Sequence, residues 1–134
     1  MKFFDDMIMT IKSAHFHVDK EIFGKQDPYI EFTYDDVLMR TETIENGGKN
    51  PIFDKEYRLD DVEKQWLKEL VFTAKDEDMV GFKFLGSSDP NYRLIDTINQ
   101  IKDFEPFNKE IILYEEGKPT GHIDITFQAI SGDL

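Results

Sequence analysis

A chain of 134 residues has room for one domain, residues 1–134, and is long enough to bury roughly two-thirds of its unfolded surface. With 40% hydrophobic residues and 13% aromatics the composition is that of a packed globule, which excludes a disordered acidic tail. A formal net charge of −12 repels phosphate backbones and argues against nucleic acid as a partner, while the absence of cysteine excludes disulfides, thiolate metal sites and a cysteine nucleophile.

At the N-terminus, Asp5 and Asp6 interrupt any apolar signal-peptide core, and no stretch approaches the ~20 apolar residues of a membrane span. The expectation is a cytoplasmic protein without a transmembrane segment, one that meets a membrane only from the side. Met7, Met9 and Ile11 alternate with Ile8, Thr10 and Lys12, the period of a strand with one buried face. Asp27 to Thr33 alternates again, and Val37 to Thr43 reads as a further strand joined to it by a tight hairpin at Tyr34-Asp35-Asp36. Asn46-Gly47-Gly48-Lys49-Asn50-Pro51 is dense turn chemistry. Phe53, Tyr57 and Leu59 share a strand face, Leu70 to Ala74 is a short apolar strand, and Glu110 to Tyr114 and His122 to Gln128 follow, the last with Ile123, Ile125 and Phe127 inward. Asp61 to Leu67 suits a turn or two of helix. Tyr92 to Ile101 places Leu94, Ile95, Ile98 and Ile101 on one helical stripe, with Asp89-Pro90-Asn91 as its start signal. Glu115 to Gly121 is a hairpin connection. The pattern predicts an all-β, eight-stranded antiparallel sandwich with a short accessory helix.

Several segments in order resemble the C2 domain, the calcium- and lipid-binding β-sandwich. They are Met7, Met9, Ile11 and Ala14; Gly24-Lys25-Gln26-Asp27-Pro28-Tyr29; Lys49-Asn50-Pro51-Ile52-Phe53; Asp76-Glu77-Asp78 before Phe84-Leu85-Gly86; and Gly121-His122-Ile123-Asp124-Ile125. Because the first-strand pattern opens the chain and the closing strand ends it, the chain is similar to the circularly permuted branch seen in phospholipase-type and small plant-type C2 proteins.

The resemblance implies calcium between a first and a third loop, a hard cation served by carboxylate oxygens. Its ligands map onto Glu21, Asp27, Asp76 and Asp78, with Glu21 standing where the family usually has aspartate and Asp19 nearby. Three residues before Gly86, where calcium-binding members place another acid, stands Lys83, whose ammonium offers no lone pair. The four carboxylates carry a formal −4 and Lys83 brings this to −3, so a single calcium site of reduced affinity is expected. Ile22 and Phe23 in the first loop, and Met79, Val80 and Phe82 in the third, are the residues expected to touch a membrane, with calcium switching off the repulsion of anionic phospholipid.

Other constellations are weaker. His15 and His17 are spaced to share a strand face but lack further ligands in sequence, and Ser13, Ser87 and Ser88 have no nucleophile-elbow context. No catalytic constellation is visible, and the reading is of a non-enzymatic module whose function is calcium-promoted binding to phospholipid. The alternative is a calcium-independent protein-interaction or structural subunit keeping the scaffold, whose protein partner would be basic to suit the charge.

Overall fold

The computed structural model describes residues 3–21 and 24–133. Eight strands run in the order β1 (Phe3–Phe16), β2 (Pro28–Tyr34), β3 (Val37–Arg40), β4 (Ile52–Leu59), β5 (Phe72–Asp78), β6 (Gly81–Ser87), β7 (Phe107–Glu115) and β8 (Lys118–Asp133), with single helical turns α1 (Val62–Gln65) and α2 (Ile95–Ile98). All pairings are antiparallel, in the order β3-β2-β5-β6-β7-β8-β1-β4. Between β6 and β7 the ladder narrows to the single pair Ser87↔Tyr114, and there the sheet folds into two layers of four strands. Phe32 of β2 meets Tyr57 of β4 edge to face at 4.8 Å, so the core aromatics bridge the layers. The opening and closing strands lie side by side from Phe3↔Asp133 to Phe16↔Gly121, as the permuted arrangement requires.

Alternation explains most of this. On β8 the odd residues Gly121, Ile123, Ile125, Phe127 and Ala129 are buried, and the even ones face outward. On β1 the buried set runs Met7, Met9, Ile11 and then Ala14, Phe16. The step of three is a bulge: Ile11 pairs with Ile125 and Ser13 with Asp124, leaving Lys12 as the extra residue. One inserted residue inverts the phase of a strand, so Ser13 and His15 join the outer face while Ala14 and Phe16 return to the core.

Several elements differ from the sequence reading. β3 ends at Arg40 instead of Thr43, because Thr41 turns inward and its buried Oγ1 accepts the Ile30 N–H at 3.0 Å. The helix expected over Tyr92 to Ile101 contracts to Ile95–Ile98. Around that turn the backbone closes i to i+3 bonds, Thr97 to Leu94, Gln100 to Thr97 and Ile101 to Ile98, while Leu94, Ile98 and Ile101 remain buried. Asp89 does not start it: its Oδ1 accepts the Asn91 N–H at 2.9 Å in a local Asx turn, and the helical turn begins after Leu94. Strand β6 was not legible as an alternating segment. α1 forms within Asp61 to Leu67 as expected.

Candidate metal cleft and hairpin tip

Three connections meet at one end of the sandwich: the described residues 17–21 and 24–27, residues 41–51 and the two-residue turn Met79-Val80 between β5 and β6. The residue that ties the first two together is Gln26, which is fully buried. Its Nε2 donates to the Gly48 carbonyl at 2.9 Å and the Val18 carbonyl at 3.3 Å, and its Oε1 accepts the Lys20 N–H at 3.1 Å. Asp19 serves the same scaffold. Its carboxylate accepts the backbone N–H of Glu21 at 2.9 Å and of Gln26 at 3.1 Å.

Asp27 is clamped between two connections and β5. Its N–H donates to Asp76 Oδ1 at 2.7 Å, its carbonyl accepts the Glu77 N–H at 2.9 Å, and its Oδ1 accepts the Asn46 N–H at 2.7 Å. Asp76 lies within strand β5 and not in a loop, since Asp76-Glu77-Asp78 completes the strand and the connection shrinks to Met79-Val80. It continues the inward face of Phe72 and Ala74, and it is 0% exposed. Its Oδ2 has no hydrogen-bond partner. Burial pushes its carboxyl up to about 6, helped by the Glu21 carboxylate beside it. Glu21 moves the other way, held below the usual carboxylate range by the Asp76 carboxyl, which takes up a proton first, and by Lys83.

Lys83 stands directly across the ladder from Asp76, and opposed residues of an antiparallel pair point to the same side. It therefore enters the cleft, and its Nζ donates to Glu21 Oε2 at 3.1 Å. The bond to Glu21, together with the charges of Asp76 and Asp78, raises the pKa of its ammonium. Asp78, two residues along from Asp76, shares that side at the exposed mouth, where it closes the hairpin opposite Gly81. Glu21 and Asp76 are thus brought together with Lys83 beside them, whereas Asp27 joins them through its backbone N–H and turns Oδ1 to the Asn46 N–H.

The apolar residues separate. Met79 and Val80 are fully exposed at the hairpin tip. Phe82 is 52% exposed on the opposite face of the hairpin, where the Lys75 ammonium lies 4.1 Å from its ring centroid. Ile22 and Phe23 lie outside the described residues.

A second cluster forms on the outer face of β7, β8 and β1. Among the described residues, Glu110, His122 and Asp124 bring ligand atoms within 4.8 Å of one another, and the ring of His15 lies 5.6 Å from that of His122. His15 and His17 are 5.9 Å apart, so the pair noticed in sequence is the margin of a group centred on β8. Its signal was the pairing of the opening strand with the closing one, which sets His15 opposite His122.

The curled eight-stranded sandwich with an acid-lined cleft at one end defines a class, and the chain belongs to the C2 domain family, whose model matches residues 6–96. No curated protein sequence matches it. Among solved structures it is similar to the first C2 domain of plant Extended Synaptotagmin 1, with a TM-score of 0.74 at 14% identity over 95% of this chain and 96% of that one. It is similar to the calcium-bound pair of C2 domains of Extended-Synaptotagmin 2, with a TM-score of 0.71 at 17% identity over 98% of this chain and 48% of that one. Human GIVD cytosolic phospholipase A2 matches with a TM-score of 0.66 at 13% identity, over 99% of this chain and 19% of that one. At such identities the likeness shows the fold alone. A C2 domain is itself a non-enzymatic module, although an enzyme such as the phospholipase carries one. C2 domains bind phospholipid membranes or proteins, and commonly calcium. Among the described residues no helix is long and apolar enough to cross a membrane.

Proposed function

We propose that this C2 module docks on anionic phospholipid membranes through the β5–β6 hairpin, with calcium promoting the docking from the cleft beneath. The observation that carries this reading is the full exposure of Met79 and Val80 at the tip of a hairpin whose first strand carries Asp76 and Asp78. Burying one such side chain in an apolar medium contributes about 1.5–3 kcal/mol, enough for two to hold a reversible contact. Without a counter-charge, the acids beside the tip oppose anionic head groups.

The cleft suits calcium in kind, because its donors are carboxylates and one of them, Asp76, has a buried oxygen without a partner. Glu21, Asp27 and Asp76 would hold the ion, with Asp78 at the mouth. Bound there, calcium supplies two positive charges that offset the acids and attract lipid phosphate. Lys83 competes with it by its bond to Glu21, which supports one site of lowered affinity.

The same contact favours a second reading, a calcium-independent interaction module in which Lys83 supplies permanently the charge that an ion supplies elsewhere. The cytoplasmic side of a membrane suits the first reading and a basic protein partner the second. Co-sedimentation with phosphatidylserine vesicles, in calcium and in chelator, separates them. Pelleting in calcium that is lost in chelator, and lost again in Met79→Asp/Val80→Asp, is the expected result. Pelleting that ignores calcium removes the ion from the first reading, and the absence of any pelleting overturns the first reading and leaves the calcium-independent protein-interaction subunit.

A further inference from the structure

On the outer face of the β7-β8-β1 layer, Glu110 and Asp124 are directly opposed in register, as are His122 and His15 one step along. Like charges placed opposite each other across a ladder destabilise it, unless something positive lies between them. Among the described residues neither carboxylate is paired with a lysine or an arginine. The group facing both is His122, with Nδ1 3.9 Å from Glu110 Oε1 and Nε2 3.6 Å from Asp124 Oδ2. Both separations exceed hydrogen-bonding reach, so the imidazole lies between two carboxylates without binding either.

His15 adds a second imidazole. Its Nδ1 lies 2.6 Å from Asn50 Oδ1, an oxygen that only accepts, so the tautomer with its hydrogen on Nδ1 satisfies this contact and presents Nε2 to a metal. An imidazole whose other nitrogen donates to a side-chain oxygen is the usual arrangement of a metal ligand. The bulge at Lys12 turns Ser13 and His15 to this face, and Ser13 Oγ donates to Asp124 Oδ2 at 3.3 Å, steadying that carboxylate.

We propose that Glu110, His122 and Asp124, with His15 as the neighbouring fourth donor, bind a borderline divalent transition ion such as Zn2+, at a site separate from the acid cleft. The donors discriminate between the two sites. Imidazole with carboxylate suits Zn2+, Ni2+ or Cu2+, whereas calcium takes oxygen and leaves imidazole aside. Asn50 is then a positioning residue acting through His15. The inference does not depend on the membrane reading, because none of these residues belongs to the cleft or the tip.

The test is calorimetric titration of the whole chain with Zn2+ at neutral pH in the presence of excess calcium, together with the His122 and His15 imidazole resonances. The expected result is one saturable site, shifts confined to those two rings, and affinity lowered by roughly 10- to 100-fold in His122→Ala and by about 10-fold in Asn50→Ala. Glu110→Gln and Asp124→Asn weaken binding without touching an imidazole. The proposal is overturned if zinc gives no saturable binding to the parent chain, if His122→Ala binds it unchanged, or if Asp76→Asn abolishes binding, which would place the ion in the cleft. Because the imidazole shifts are read on the parent chain, they stand even where a variant fails to fold.

Discussion

Lys83 decides the chemistry of the cleft residue by residue. Its departure from the family's acid was legible in sequence, but its direction was not, because the shortened hairpin left the register open. Pairing with Asp76 settles it: the ammonium lies inside and bonds Glu21 at 3.1 Å. The ion pair is partly exposed, so solvent screens it and it contributes little to stability. Its larger effect is on the ion. Replacing the ammonium by a carboxylate, Lys83→Asp, exchanges a repelled calcium for an attracted one and restores the missing acid. Calorimetry is expected to find calcium bound about tenfold tighter or more, a gain of about 1.4 kcal/mol. In chelator the same variant melts at a lower temperature than the parent, because Glu21 and the buried Asp76 lose their counter-charge. An unchanged calcium affinity would move the ion away from these acids. Gln26 and Asp19 show what the residues alone concealed, since a glutamine and an aspartate in a loop give no sign that they will be the ties that hold it.

At the scale of elements, what was legible follows from burial on one face. β8 could be read in advance because Ile123, Ile125 and Phe127 share one face, and a period of two leaves little choice of register. β6 could not, because it opens at exposed Gly81 and Phe82, and its partner β5 shifts register between Ala74 and Lys75. The stripe at Leu94, Ile98 and Ile101 was seen correctly as buried and wrongly as a full helix, since tight turns present residues three apart much as a helix does. The bulge on β1 was present in the step from Ile11 to Ala14, but an extra residue is recognised only once its partner strand is known. That strand pair also carries a close backbone approach at Gly121. A Cβ added at Gly121 would collide with the His15 carbonyl oxygen, a backbone atom that cannot turn aside. Gly121→Ala must therefore spread β1 from β8, at a cost of about 3 kcal/mol. The expected outcome is a midpoint lowered by on the order of 10 °C in a thermal melt followed by circular dichroism. A melt within a degree or two of the parent would show that the pair relaxes freely.

For the whole molecule the net charge of −12 constrains the conditions under which the fold survives. Alkaline pH adds charge to a surface already strongly negative. Three phenols resist that addition. Burial pushes Tyr57 up to about 12 and Tyr92 up to about 12, and raises Tyr34 further, where the hydroxyl donates to the Asp60 carbonyl at 2.6 Å. In each case the folded chain favours the protonated, neutral phenol more than the unfolded chain does. The stability they contribute is complete below the unfolded value of about 10 and is lost as pH rises from there through about 12. Unfolding on alkaline titration should therefore begin just above the ordinary phenol range, and the late phenolate absorbance should appear together with the loss of the β signal in circular dichroism. Tyr92→Phe removes one of these groups along with its hydrogen bond to Thr97, and it is expected to extend the stable range upward while lowering stability at neutral pH by about 1 kcal/mol. If all the phenols ionise near pH 10 while the β signal persists, the interior admits the charge, and the alkaline limit of this acidic domain is set by its surface alone.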